Sequence, residues 1–298
     1  MLAEVIDVLA DPNDGTPLHG DNDFRRLVSE SGHSFDVAKQ GYVSLLAGAG
    51  RKHDGDSAGM IQARETFLAG GHFAPFVEAV TEAMVAATES SLESSQDSAP
   101  VIIESGAGTG YYLSHSLDSI SGARGVGLDI STPAAKQLAK CHPRVGAVVA
   151  DVWRRLPLAN DCADALSVVF APRNMPEFAR VLKPAGQVVV LTPDTGHLDE
   201  LRKPPGIVSV EEDKIARLYQ QAHGILEPIG SPRTIEFAMR LEKASIAAQV
   251  KMSPSARHIS AEELEHRLAG LPETMTVTAR GRIDCFTKPT APNYATSR

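Results

Sequence analysis

Three glycines spaced two residues apart, Gly106, Gly108 and Gly110, follow an apolar run, Val101–Ile103, that stops at Glu104. Glycine allows left-handed backbone and lets a ligand come close to the main chain. A helix-like pattern starts directly after Gly110. The loop therefore offers the amino end of a helix, whose free N–H groups and positive dipole end face a ligand. Asp129 stands 19 residues after Gly110, at the end of the next apolar run. A carboxylate there can accept both hydroxyls of a ribose. These features suit a dinucleotide, and equally a nucleoside without a pyrophosphate. Glu104 tilts the choice, because its charge repels a pyrophosphate and suits a cation. Asp151 follows the third apolar run, within reach of an adenine amino group. S-adenosylmethionine carries a sulfonium and an α-ammonium, and it is the nucleoside this pattern favours.

The elements that must hold these residues alternate. From residue 101, VIIES, GVGLDI, VGAVVAD, ADALSVVFAP and GQVVVLTP read as strands. GYYLSHSLDSI, TPAAKQLAKC and MPEFARVLK read as helices between them. Short strands separated by helices of about ten residues predict an α/β fold with a doubly wound, mostly parallel sheet. Residues 206–224 and 260–270 also read as helical, and TMTVTARGRIDCFTK reads as two strands around Arg280–Gly281. Upstream, residues 1–46 are turn-rich and form a small β-rich domain. Residues 47–100 comprise a polar loop, a helical lid and a Ser-rich linker, 101–288 form the catalytic domain, and 289–298 form a disordered tail.

A chain of 298 residues with 43% hydrophobic residues can bury a sizeable core, in one large domain or two. A net charge of −8 does not fit a uniformly basic nucleic-acid binder, although it leaves room for a local basic face. No apolar run approaches the ~20 residues of a membrane span, and the N-terminus lacks a basic secretory signal. Cys141, Cys162 and Cys285 form no zinc or disulfide spacing and fit a reducing, cytoplasmic location.

RRLPLANDCADALSVVFAP is similar to the approach to the fourth strand in class I methyltransferases. Longer stretches are more specific: SFDVAKQGYVSLL, GDSAGMIQARETFLAGGHFAPF, ESGAGTGYY, GLDIS, FAPRNMPEFARVLKPAGQVVVLTPDTGHLDEL and MSPSA. Together these motifs resemble the 23S rRNA (guanine-N1)-methyltransferase family over about residues 5–288, in its Gram-positive, macrolide-resistance branch. The resemblance implies a class I fold and transfer of a methyl group from S-adenosylmethionine to guanine N1 in a 23S rRNA hairpin. It implies that Phe73 lies over the cofactor in place of a family tyrosine, that Gly108 and Thr109 line its methionine side, and that His197 contacts it. It also implies a homodimer whose amino-terminal modules form an RNA cleft. The family's zinc ligands, three cysteines and a histidine, are reduced to His33, with Ser29 at the third cysteine position. Zinc is therefore not expected.

Guanine N1 lies on the pairing edge, so the base must be unpaired or flipped, and its proton must leave. Arg173, just past the fourth strand, is expected to support O6, with the carbonyls of Phe170 and Ala171 near the acceptor. Glu177 and Asp194 are the nearest candidates for the base. Candidate RNA contacts are Arg51, Lys52, Arg64, Arg202, Lys203, Arg233, Arg240, Arg280 and Arg282. Two other readings are open: a methyltransferase of a small metabolite, and a non-catalytic S-adenosylmethionine-binding protein.

Overall fold

The structure, a computed structural model, describes residues 2–21, 23–47, 55–94, 99–202, 213–257 and 259–289. A short 3-10 helix (Leu2–Val8) precedes three antiparallel strands: β1 (Leu18–Asp21), β2 (Arg26–Ser29) and β3 (Ser34–Asp36). Next come β4 (Tyr42–Ser44) and the helices α1 (Ala58–Ala69) and α2 (Ala74–Glu93). The alternating part runs β5 (Val101–Ser105), α3 (Tyr111–Ser119), β6 (Arg124–Asp129), α4 (Thr132–Cys141), β7 (Val145–Val149), β8 (Ala163–Val169), α5 (Met175–Val181) and β9 (Leu182–Pro193). It closes with α6 (Lys214–Ala222), β10 (Glu227–Glu242), α7 (Lys243–Met252), α8 (Ala261–Ala269) and β11 (Thr274–Thr287).

Eight strands form one sheet in the order β10-β11-β9-β8-β5-β6-β7-β4. Only β11 runs against the others, since it is antiparallel to both β9 and β10. Every residue of β5, β7 and β8 is buried, as a parallel sheet covered on both faces requires. On one face, α2 sets Phe76, Val80 and Met84 into a core shared with α1, α3 and α7. On the other, α5, α6 and the first 3-10 helix bury Phe178, Leu218 and Val5. The chain leaves β5 towards β6 and β7, then returns to β8 and β9 on its other side. This reversal opens a crevice at the carboxyl ends of β5 and β8.

Four expectations change. The unit set at 1–46 does not close on itself, because its last strand, β4, pairs in parallel with β7 of the large sheet. The Leu-Pro-Leu stretch before β8 also grips it: Leu9 bridges Leu158, and Ala10 N–H donates to Pro157 O (3.0 Å). The two strands expected around Arg280–Gly281 are one continuous strand. A side chain at Gly281 would meet the Phe76 ring at 2.7 Å, so glycine there serves packing rather than a turn. In 206–224 the helix begins at Lys214, and 203–212 lie outside the described residues. Of the Ser-rich linker, residues 90–93 belong to α2, and Ser91 is buried, donating to Asp164 (2.8 Å). Residues 95–98 and most of the tail, 290–298, also lie outside. No helix of the described residues is long and apolar enough to cross a membrane.

The zinc positions of the resemblance hold a different set of groups. His33 Nδ1 sits 2.7 Å from Asp11 Oδ2, Asn13 donates twice to Asp11 Oδ1, and His33 N–H donates to Ser29 Oγ (3.0 Å). Asp11, Asp14 and His33 converge without any thiolate. His33 Nδ1 faces Asp11, while Asp14 Oδ1 accepts from the Thr16 N–H and hydroxyl; thiolates, the usual structural zinc ligands, are not among the three. The cluster instead ties the loop after the first 3-10 helix to the β2–β3 turn.

Candidate active site

The crevice is a cavity of about 720 Å³. The glycine loop forms its floor. Gly106 has φ +74°, and a Cβ there would fall 2.4 Å from Ala171 Cβ. Gly110, with φ +80°, would collide with Cys141 at 2.5 Å. Both positions therefore demand glycine. Asp129 braces the loop by accepting from Gly108 N–H and Ser131 N–H, both at 2.8 Å. Burial raises its pKa, against the pull of these two bonds.

Glu104 is 1% exposed at the cavity's deep end. One oxygen accepts from Leu113 N–H (2.9 Å) in the first turn of α3. Burial, aided by the charge of Asp129, pushes its pKa up to about 8 despite that bond. A buried carboxyl held neutral in this way is stabilised as an anion when a cation arrives. The glycine cradle, Glu104 and Asp129 thus fit a cationic nucleoside. Thr109 and Asp151 also line the cavity. Asp151 is 8% exposed, accepts from Trp153 N–H (3.0 Å) and lies 3.7 Å from Arg154.

The opposite wall is aromatic. Phe73 is buried, with its ring edge-on to Phe67 and Phe76. Phe170, at the end of β8, has φ +51°, a strained conformation for a phenylalanine. Its ring stays 37% exposed while packing edge-on to Phe76. His197 lies 5.7 Å from the Phe170 ring. Arg280 N–H donates to His197 Nδ1 (3.1 Å), so the neutral ring carries its proton on Nε2. Burial drops its pKa to about 4, with the nearby Lys214 charge acting in the same direction. His197 is therefore a hydrogen-bond donor at this wall across neutral pH.

All nine expected cofactor residues line this cavity except Gly110, which turns the chain into α3 just behind it. The two residues expected to be catalytic do not line it. Arg173 lies one residue beyond the wall, with Nη1 3.3 Å from Thr192 Oγ1. Glu177 accepts from Leu156 N–H (2.7 Å) and pairs with Arg180 (2.6 Å). Burial opposes its ionisation, but Arg180 and Leu156 hold its pKa low. Its geometry is that of a structural anion rather than a base. Asp194 accepts from Thr195 N–H (2.7 Å) and is also off the wall.

The expected RNA contacts divide as well. Arg64 points inward, against Gly108, and belongs to the cavity. Arg202, Arg233, Arg280 and Arg282 are paired with Asp199, Glu82, Glu236 and Asp284. Arg51, Lys52 and Lys203 lie outside the described residues. Sequence reasoning missed Trp153, Lys214 and Gln249 in the wall. No local pattern marks them, since they arrive from the turn after β7, from α6 and from α7.

Residues 103–190 match the family described as "Methyltransferase domain". The chain is 37% identical to the 23S rRNA (guanine(748)-N(1))-methyltransferase of Streptomyces fradiae, over 93% of this chain and 96% of that one. It is 41% identical to a Micromonospora griseorubida protein provisionally named a 23S rRNA (guanine-N(1)-)-methyltransferase, over 95% of this chain and 98% of the other.

Proposed function

The chain belongs to the 23S rRNA (guanine-N1)-methyltransferase family, and on that premise we propose that it methylates N1 of a guanine in a 23S rRNA hairpin, with S-adenosylmethionine as donor. One observation carries this reading. The two large apolar side chains most open on the described surface, Trp153 at 51% and Phe170 at 37%, both line the one cavity that holds the acidic cofactor groups. Open aromatic faces at a cavity mouth suit an unstacked base, which binds through its π-face.

When bound, S-adenosylmethionine supplies an electrophilic methyl group on a sulfonium. Glu104, the glycine cradle and Asp129 hold the nucleoside at the floor. Phe170 stacks the guanine and Phe73 closes the space behind it, excluding water. N1 gives up its proton as it takes the methyl group, and negative charge gathers on O6 as that proton leaves, until the new N1–carbon bond discharges it. His197 Nε2–H donates towards O6, and the Lys214 ammonium beside it favours that charge. This is the role that sequence reasoning gave to Arg173. Glu177 and Asp194 do not line the cavity, and in this reading the N1 proton passes to water at its open side.

The test is incubation with tritiated S-adenosylmethionine and separate pools of 23S rRNA, tRNA and small metabolites, followed by primer extension. Label in 23S rRNA with a new stop one nucleotide before a guanine is the expected result. Label confined to the small-molecule pool would reject the RNA reading. Light scattering of the purified chain tests the homodimer that the same reading carries, and a single-copy mass removes it.

A further inference from the structure

Arg173 keeps a charge that the protein itself does not answer. It stands half-buried between Pro172, in the cavity wall, and Asn174, whose amide donates to Val152 O (2.7 Å) and Arg154 O (3.3 Å). Its backbone is thereby pinned at the rim. Among the described residues its side chain makes one long hydrogen bond, Nη1 to Thr192 Oγ1 (3.3 Å), and no carboxylate pairs with it. Nε is sealed without a partner, whereas Nη2 is neither sealed nor bonded. A cation this far withdrawn from water normally meets a carboxylate.

The surroundings add positive charge. Arg282 stands opposite Thr192 on the neighbouring strand β11. Tyr219 on α6 accepts from Arg282 Nη2 (2.9 Å) and donates to Asp284 Oδ1 (2.8 Å), which docks α6 on β11. Lys214 in the first turn of α6 lines the cavity, and Arg217, one turn on along the same side, lies in the field of Arg173. Burial lowers the Arg173 pKa, and the Arg217 charge lowers it further, while Asp284 pulls the other way. Asp284 is 2% exposed and already spent on Arg282 and Tyr219.

We infer that Arg173 and Arg217 form an anion subsite outside the cavity, which takes a backbone phosphate of the RNA beside the nucleotide whose base stacks on Phe170. The inference rests on the RNA reading above. The open edge of a guanidinium matches phosphate oxygens, and an arriving anion relieves the repulsion between the two arginines. The place fits as well. Phe170 takes the base, and Arg173 follows three residues on along the same rim, where the sugar–phosphate chain of a flipped nucleotide leaves the cavity. Arg173 therefore holds RNA and takes no part in the chemistry at N1.

Filter binding of an unmodified 23S rRNA transcript over a series of KCl concentrations tests it. Each phosphate contact adds about 0.7–0.9 to the slope of log affinity against log salt. Arg173→Gln is expected to flatten the slope by about that much and to weaken binding at low salt by about tenfold, whereas Arg173→Lys keeps the slope. Arg217→Gln, at an exposed position of α6, should flatten it likewise. Calorimetry with S-adenosylhomocysteine should give wild-type affinity in all three. The melting temperature of RNA-free Arg173→Gln should stay level or rise, because an unpaired charge is gone. An unchanged slope in Arg173→Gln or in Arg217→Gln overturns the subsite. A lowered melting temperature at unchanged slope would make Arg173 a brace for Thr192, and overturns it too. Should Arg173→Gln fail to fold, the slope of Arg217→Gln decides. If the wild-type protein shows no salt-dependent binding of the transcript, the RNA reading itself fails, a different outcome from failure of the subsite.

Discussion

At the scale of single residues, Glu104 and Phe170 each trade stability for a ligand. The Glu104 carboxyl is neutral near pH 7 because burial raises its pKa to about 8. A raised folded-state pKa stabilises the ligand-free protein below the unfolded carboxyl pKa, and that contribution is lost as pH rises through about 8. Cofactor binding needs the anion, so it releases a proton. Affinity for S-adenosylhomocysteine should therefore rise between pH 6 and about 8 by up to about tenfold per unit, and Glu104→Gln should flatten the rise. Calorimetry in buffers of different ionisation enthalpy reads the proton directly. Phe170 holds a left-handed backbone that costs of order 1–3 kcal/mol. Phe170→Gly should relieve that cost, yet lose about 1–3 kcal/mol of RNA binding through lost stacking. Kinetics should show a higher KM for RNA with S-adenosylhomocysteine affinity intact.

Elements explain why one sensible residue-level expectation, Glu177 as a base, moved. Glu177 sits in the first turn of α5, as a catalytic acid after the fourth strand would. Its direction is set by Arg180 one turn on and by the Leu156 N–H in the segment leading to β8. Glu177→Gln should therefore lower stability by about 1–3 kcal/mol in urea melts, and kcat of the folded fraction should stay near wild type. A collapse of kcat at unchanged stability would restore the base role. The aromatic wall depends on β11 in the same indirect way. Gly281 leaves room for the edge of the Phe76 ring, and Phe76 packs edge-on to Phe170. Gly281→Val should overpack this contact, cost about 1–3 kcal/mol and reduce RNA methylation together with thermal stability.

Across the whole molecule, the amino-terminal sheet is joined to the methyltransferase core rather than hung from it. β4 extends the large sheet, and Leu9–Ala10 pair with Pro157–Leu158. The Asp11–His33 contact ties the loop after the first 3-10 helix to the β2–β3 turn. A chelator should leave the melting temperature and the activity unchanged, whereas Asp11→Ala should lower the melting temperature by removing a fully buried acceptor. Unfolding by the chelator would mean a metal is held after all. The sequence by itself determined the parts whose physics is local: the glycines that need left-handed backbone, Asp129 at a strand end, the β/α alternation and the buried apolar strands. Those follow from dihedral limits and short-period patterns, which a run of ten or twenty residues already contains. Only the tertiary structure turned Arg64 into the cavity wall, against Gly108. It alone put Gln249 and Lys214 in the wall, kept Glu177 off it and left Phe170 exposed. Each of these depends on groups that meet across chain separations far longer than any local pattern, as when Arg64 bonds Met252, and side-chain direction at such meetings is set by packing.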